Sequence, residues 1–245
     1  MIDLIAIHAK LGVGKDTMAS FLTDHTPYSF ADPLRKGLLA LDPWIPTDDG
    51  RRRLSDVVST EGWDEAKKIP EVRRLMQKYG TEAGRDIHGQ DCWIDLAEEF
   101  VGNHEKVAIR DMRFQNEWDA VAKWEFTKPN LKNKIALVKM VGESRREHTQ
   151  EATKHASEQD LPDYLFDVVV ENNGTLADLQ WAALYIVNNA PGKKQKRLVC
   201  CSRSVVERPS NGKPIWHGIW KADCCSLFAL IQINAALLGV PVRMW

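Results

Sequence analysis

Lys15 closes a run of small residues in the stretch IHAKLGVGKDT, behind Gly12, Val13 and Gly14 and ahead of Asp16 and Thr17. A glycine-bearing loop at the start of a helix turns backbone N–H groups toward a phosphate, and the helix end favours negative charge there. Lys15 brings a point charge to the same phosphates, and Thr17 offers a hydroxyl. The stretch departs twice from the usual phosphate-loop pattern. Ala9 stands at the first position, where glycine is usual, and Asp16 follows the lysine where Ser or Thr is usual. Ala9 is harmless if its φ stays negative. Asp16 puts a carboxylate where a hydroxyl would ligate Mg²⁺, and carboxylate oxygen also ligates Mg²⁺. The loop therefore reads as functional, with altered metal chemistry.

Phosphoryl transfer depends on positioning and charge neutralisation, so it needs cations from several segments around one phosphate. Three further segments qualify. FADPLRKG places Arg35 and Lys36 just after a strand. RDMRF places Asp111, an acid suited to organising Mg²⁺, and Arg113, suited to gripping phosphate, after another. ESRRE supplies Arg145 and Arg146 in a polar stretch without apolar periodicity, the pattern of a mobile lid. Any one of these arginine pairs alone reads as surface charge. Their joint placement beside a phosphate loop is what points to a kinase.

The elements that must position these residues alternate. Leu4–Ile7 is a continuous apolar run, as in a strand buried on both faces, and Met18, Phe21 and Leu22 then fall at helical spacing. YSF reads as a short strand, with a helix beginning near Pro33. From Arg51 to about Val101 the chain reads as helical in pieces, with Gly80, Gly84 and Gly89 interrupting and Pro70 starting one segment. DCWIDLAEEFV carries an apolar face, so Trp93 fits a core position as well as a base-stacking one. Val107–Ile109, Ile135–Val138 and Phe166–Val170 read as strands; a helix through Trp118 and Val121 follows the first. Thr175 caps a final amphipathic helix. This order builds an α/β fold with a parallel sheet covered by helices on both faces.

The 245 residues are 44% hydrophobic and 27% charged, enough apolar content for a real core. The net charge of −1 hides an asymmetry: 24 Lys and Arg against 32 Asp and Glu through residue 190, then 9 against 2. NNAPGKKQKR is the expected boundary, giving a domain over 1–190 and a basic extension over 191–245. KKQKR reads as a solvated charge run rather than a nucleic-acid contact. Cys200, Cys201, His217, Cys224 and Cys225 suggest zinc, but adjacent cysteines lack ligand-pair spacing. The apolar stretch over 227–242 reads as docking on the domain or on a second chain, a homodimer in the latter case. No run reaches the roughly eighteen apolar residues of a membrane helix. Without a leader before MIDLIAIH, five cysteines, one left over from pairing, lead to the expectation of a reducing cytoplasm.

GVGKDT, SFADPLRKGL, LMQKYGTEAGRDIHGQDCWIDLA, IRDMRFQNE, HASEQDLPD and VVVENNGTLADL stand in the order found in phage-type deoxynucleoside monophosphate kinases, and together they span most of residues 1–190. The chain resembles that family. The resemblance implies a P-loop kinase fold: about five parallel strands flanked by helices, a helical nucleotide-binding insertion and a mobile lid. It implies transfer of the ATP γ-phosphate to a deoxynucleoside 5′-monophosphate with Mg²⁺, in host cytoplasm if phage-encoded. By matching motif, Gly12, Val13, Gly14, Lys15, Asp16 and Thr17 are implied to hold ATP. Arg35, Lys36, Gly80, Thr81, Arg85, Trp93 and Arg113 are implied to surround the acceptor nucleotide. Asp111 and Arg113 are implied to organise metal and acceptor phosphate, with Arg145 and Arg146 as lid arginines. His155, Ser157 and Glu158 are implied to order the lid, while His88 and His148 read as surface residues. Two alternatives stay open: a P-loop kinase of another phosphorylated acceptor such as a coenzyme precursor, and a non-catalytic ATP-binding regulatory module.

Overall fold

The computed structural model describes residues 2–10, 12–132, 134–144, 160–189, 196–201 and 204–209; in the last two segments only the Leu198 side chain is described. Strand β1 (Leu4–Ala9) lies between β5 (Val107–Met112) and β6 (Ile135–Val141), parallel to both. Outside them run β2 (Thr26–Tyr28) against β5 and β7 (Val168–Asn172) against β6, again parallel. The order β2-β5-β1-β6-β7 puts β1 where the connections part to opposite sides. The loop after such a strand opens into the crevice at the carboxyl edge, where α/β ligands bind.

Alternation along β1 divides the core. Ile5 and Ile7 face one cluster with Met18 of α1 (Lys15–Ser20) and Leu179, Ala182 and Ile186 of α8 (Leu176–Asn188). Leu4 and Ala6 face the other, with Ile94 and Ala97 of α6 (Cys92–Gly102) and Val121 and Trp124 of α7 (Gln115–Thr127). Every residue of β1 is buried, as the unbroken apolar run requires of a strand covered on both faces. Each large side chain so buried contributes roughly 1.5–3 kcal/mol. Thr175 caps α8 as expected: its hydroxyl accepts from the Asp178 N–H, and the Asp178 carboxylate accepts from the Thr175 N–H.

Between β2 and β5 the chain builds a helical lobe with its own core. It comprises α2 (Ala31–Leu41), α3 (Leu54–Ala66), α4 (Pro70–Lys78), a π-helical turn (Tyr79–Arg85), the short α5 (Asp86–His88) and α6. Leu34, Leu38, Ile45, Leu54, Val57, Val72 and Trp93 fill it. Pro70 takes the first position of α4, where its missing N–H has no partner to lose. The Trp93 indole N–H donates to the Gly80 carbonyl at 2.9 Å, and its ring packs so tightly on Gly84 that a Cβ there would collide with it. Two of the three glycines that interrupt the helical pattern, Gly80 and Gly84, are the seat for this indole.

Two features differ from expectation. The segment before α3 is an antiparallel hairpin, β3 (Trp44–Thr47) with β4 (Gly50–Arg53), turning at Asp48-Asp49, so the helical reading from Arg51 begins three residues early. The Arg53 guanidinium lies 4.3 Å from the Trp44 ring centroid, and that stacking suits a strand edge. The sheet also runs past residue 190. β8 (Lys196–Cys201) pairs parallel with β7, and β9 (Ser204–Pro209) pairs antiparallel with β8. Leu198 is fully buried in the cluster that holds Ile5 and Ile7. No helix among the described residues is long and apolar enough to cross a membrane.

Candidate functional site

The loop after β1 turns on two glycines. Gly12 (φ 82) and Gly14 (φ 98) are both left-handed, a conformation glycine adopts without steric cost. Ala9 stays in the strand with negative φ, so its departure from glycine costs nothing. Gly14 caps α1, and the Met18 N–H donates to its carbonyl. Asn172, the last residue of β7 and 3% exposed, donates from its amide to the Val13 carbonyl at 2.8 Å. A Cβ on Gly14 would sit 2.7 Å from that amide nitrogen. Asn172 thus fastens the loop to the neighbouring strand and forbids any side chain at position 14.

At the head of α1, the Lys15 ammonium donates to Asp16 at 3.1 Å; Lys15 is mostly covered and Asp16 is 67% exposed. Partial desolvation opposes the Asp16 charge, but Lys15, Arg110 and Lys67 outweigh it and hold the carboxyl below its usual range. The carboxylate is therefore ionised and open to solvent. That fits a hard divalent cation, bound directly or through water. Thr17 is exposed beside it.

Strand β5 supplies the other wall through an irregularity. Ala6 pairs with Ile109 but His8 pairs with Met112, so Arg110 and Asp111 together oppose Ile7. Such bulges re-aim side chains beside sites. Asp111 is turned back into the protein. Its carboxylate accepts from the Ser29 hydroxyl, from the Phe30 N–H at 2.7 Å and from the Ala31 N–H at 3.3 Å, clamping the start of α2. Arg110 is turned toward the crevice.

After β5 the chain folds over Glu117. Its carboxylate accepts from the backbone N–H of Arg113 (2.7 Å) and Phe114 (3.1 Å) and from Arg85 Nη2 (2.9 Å), and the side chain is 2% exposed. The Arg85 guanidinium lies 4.2 Å from the Phe114 ring centroid. Burial pushes the Glu117 carboxyl up to about 7, and Asp111 adds to this, while the three donors hold it back. One buried acid thus fixes both Arg85 and the Arg113 backbone.

A cleft of about 430 Å³ opens between α2, α3 and the carboxyl edge of β5, lined by Tyr28, Asp32, Arg35, Lys36, Trp63 and Arg110 among others. Arg35 donates through Nη1 to Asp32 at 3.0 Å, and its buried Nε has no partner among the described residues. The Tyr28 hydroxyl is likewise buried and without a partner there. Arg35 lies over the Trp63 ring at 5.9 Å. One helical turn beyond Trp63, Lys67 lies within electrostatic reach of Arg35, Lys15 and Asp16, and its ion-pair partner is Asp64 at 3.7 Å. Burial, Arg35 and Lys15 depress its ammonium, against Asp64 and Asp16. Arg35 and Arg110 thus share the cleft lining, and Arg110, Lys15 and Lys67 all act electrostatically on the ionised Asp16.

A buried polar group sits beside the loop. Lys139 of β6 reaches the Leu161 carbonyl at 2.5 Å and the Asp160 and Asp163 carboxylates, each at 2.8 Å. Lys10 meets Asp160 at 3.3 Å. His8 donates from Nδ1 to the Met112 carbonyl, 3.1 Å away, and stacks on Phe166. Burial lowers its pKa, so the ring is neutral near pH 7. Residues 142–144 leave β6 at the carboxyl edge and Asp160 returns beside the loop, so both attachments of the intervening segment lie at the site.

Of the residues marked in the sequence, the structure brings together Lys15, Asp16, Arg35 and Lys36. Arg85 and the backbone of Arg113 gather around Glu117, and Gly80 and Trp93 hold each other in the lobe; Thr81 is exposed on the same turn. Both Asp111 oxygens already accept protein donors. Arg145, Arg146, His148, His155, Ser157, Glu158, His217, Cys224, Cys225 and the 227–242 stretch lie outside the described residues. Sequence reasoning passed over Lys67, Arg110, Glu117 and Asn172. Glu117 and Asn172 do carry a signal, since one is an acid three residues after a helix cap and the other a polar residue ending an apolar strand.

A family model described as deoxynucleotide monophosphate kinase matches residues 58–182, just over half of the 245-residue chain. A search of curated proteins gives no match. Among solved structures the chain is similar to a dephospho-CoA kinase from Campylobacter jejuni, at 14% identity and a TM-score of 0.36, over 78% of this chain and 98% of that one.

Proposed function

The chain belongs to the deoxynucleotide monophosphate kinase family, and we propose that its glycine loop holds ATP while the cleft beside it holds the acceptor nucleotide. The enzyme is a phosphotransferase that passes a phosphoryl group from ATP to a deoxynucleoside monophosphate. In our reading Gly12–Thr17 cradle the donor phosphates, with Lys15 against the transferred group. Asp16 would hold Mg²⁺, which supplies charge neutralisation on the phosphate chain. Arg35, Lys36 and Arg110 take the acceptor phosphate, with the nucleoside in the cleft beside Trp63. Arg85 and Arg113 border the acceptor side, positioned by Glu117. Asp111 sets the angle of α2 and so the reach of Arg35. Arg145 and Arg146 are assigned as lid arginines by the matching motif alone. Five cysteines with one left over fit a reducing cytoplasm.

The chemistry needs no general base. An oxygen of the acceptor phosphate, already ionised, forms the bond to the γ-phosphorus as the bond to the β,γ-bridging oxygen breaks and ADP departs. The protein's task is to bring two polyanions together and to offset their repulsion. The observation that carries the reading is a cleft lined by Arg35, Lys36 and Arg110, with Arg110 also within electrostatic reach of Asp16 on the loop. A regulatory module that binds one nucleotide has no use for a second cationic wall. The test is a coupled assay of ADP release over a panel of dNMPs and NMPs. ADP formation that tracks a dNMP supports the assignment; ATP binding without acceptor-dependent turnover sinks it.

A further inference from the structure

Two side chains that line the cleft each bury a polar atom with no partner among the described residues: the Tyr28 hydroxyl and Arg35 Nε. Folded chains pair nearly all such groups, so an orphan beside a cavity marks a place for a ligand. Tyr28 is the last residue of β2 and 4% exposed. Its ring packs on Phe100, centroids 4.5 Å apart, and meets Phe30 edge-on at 6.3 Å. The ring is accounted for by these contacts; the hydroxyl is not.

The nearby acids are already engaged. Asp32 accepts from the Ser29 N–H at 2.9 Å through one oxygen and from Arg35 at 3.0 Å through the other. Asp111 accepts from Ser29, Phe30 and Ala31. Burial, then Asp32 and Asp111, raise the Tyr28 pKa, so the hydroxyl stays neutral and can both donate and accept. The two orphans therefore differ in kind. Arg35 Nε–H is a charged donor, and Lys36 and Arg110 stand beside the Arg35–Asp32 pair in the same lining, which suits a phosphate. The Tyr28 ring belongs to a wall with Pro27 and Phe100. Such a wall is a costly place for a dianion but suits the flat face of a nucleobase. Trp63 adds a second aromatic surface, and a cleft of about 430 Å³ is within the usual size of a small-ligand site.

Resting on the kinase reading above, we propose that Tyr28 reads the base of the acceptor nucleotide, its hydroxyl forming a hydrogen bond with a polar atom on the edge of the base while Arg35, Lys36 and Arg110 hold the phosphate. The free protein carries this hydroxyl unpaired, and the complex pairs it. Removing the oxygen thus relieves the free protein and weakens the complex. A base whose edge offers no partner leaves the hydroxyl buried and unpaired, and is bound less well for that reason.

The experiment compares the full-length chain with Tyr28→Phe, which keeps the ring and deletes only the oxygen. KM and kcat are measured for dAMP, dGMP, dCMP and dTMP at saturating ATP and Mg²⁺. ATP affinity is titrated, and melting temperatures are recorded without ligand. For the best wild-type substrate, Tyr28→Phe should raise KM at least about tenfold. The kcat and the ATP affinity should stay within about threefold, as for a contact made equally in ground and transition states. The poorest substrates should lose less than about threefold, so that discrimination between bases narrows. The free variant should melt no lower than wild type. An equal loss for all four bases overturns the assignment, because the contact would then be to sugar or phosphate. So does an unchanged KM profile, a wild type indifferent to the base, or a lower melting temperature of the free variant, which would give the hydroxyl a structural partner. A wild type that phosphorylates no dNMP overturns the kinase reading and this assignment together, whereas an active wild type with an unimpaired Tyr28→Phe overturns this one alone.

Discussion

Replacing Glu117 by glutamine tests how the acceptor side is held, and its outcome depends on pH in a direction the structure sets. The buried carboxyl is raised from 4.5 to about 7. Between those values the folded chain keeps the proton and the unfolded chain releases it. Stability from this group is therefore full below pH 4.5 and is lost as pH rises through 7. The gap between the two values is worth about 3 kcal/mol. Glutamine cannot titrate. Its amide also presents N–H groups where the carboxylate accepts from Arg85 or from the Arg113 and Phe114 N–H groups. That mismatch costs roughly 1–3 kcal/mol at every pH.

The mismatch sets the offset between the two proteins, and the titration sets how that offset changes. Urea unfolding of wild type and Glu117→Gln from pH 5 to 8.5 should show the variant gaining on wild type by about 2–3 kcal/mol across the range. Asp167, which burial raises to about 6, titrates in the same window but in both proteins alike, so the difference isolates Glu117. Stability curves that run parallel would refute the reasoning, because they would mean that the carboxyl carries the same charge folded and unfolded. In kinase assays the variant should raise the KM for dNMP more than the KM for ATP, since Arg85 loses its anchor.

Lys15→Ala should lower kcat at least about a hundredfold, the scale of losing one electrostatic stabiliser; activity within a few fold of wild type rejects the loop as the ATP site. Asp16→Ala should raise the Mg²⁺ concentration for half-maximal rate, and Asp16→Ser should recover part of the loss; superimposable Mg²⁺ titrations would mean the carboxylate serves only Lys15. Gly14→Ala forces a left-handed alanine, about 1–2 kcal/mol, against the Asn172 amide, so ATP affinity measured by titration should fall while the sheet stays folded; unchanged affinity refutes the fastening role of Asn172. A chain ending at Pro209 should keep its activity, whereas one ending at Ala190 should lose roughly 2–3 kcal/mol for Leu198 alone and bare the β7 edge; equal melting temperatures would show that β8 adds nothing.

The parts of this fold legible in the sequence are those with a local cause. An apolar run too short for a helix gives β1, a proline at a first turn gives α4, and a Thr-x-x-Asp box gives α8. The hairpin at Trp44–Arg53 escapes because three arginines and a proline weaken its strand character, although Asp48-Asp49 followed by Gly50 is a turn composition. The last two strands escape for a different reason: the basic composition resembles a boundary, while RLVCC and SVVE carry β-branched pairing potential of their own. At the site, the loop residues were readable because a phosphate loop is contiguous. Lys67 and Arg110 were not, since neither has a local reason to differ from a surface cation. Only tertiary packing and the bulge in β5 give them one.

That bulge explains how one short strand serves both halves of the enzyme. A regular strand would send Arg110 and Asp111 to opposite faces in step with their neighbours; two residues opposite Ile7 break the step, and both become half-buried at the carboxyl edge. Asp111 then fixes α2, and with it Arg35, while Arg110 reaches toward Asp16. The chain next turns over Glu117 and fixes Arg85. The ATP side, by contrast, is set by β1 and by Asn172 at the end of β7. The family match over 58–182 takes in Lys67, Arg85, Arg110–Glu117 and Asn172 but begins after the loop itself. The matched region therefore holds Arg110 and Glu117 on the cleft side and Asn172 on the loop side, while Arg35, Lys36 and the loop precede it. Removing the extra residue of the bulge should consequently disturb acceptor binding and turnover far more than ATP binding, because it rotates Arg110 and Asp111 away while β1 and β7 keep the loop in place.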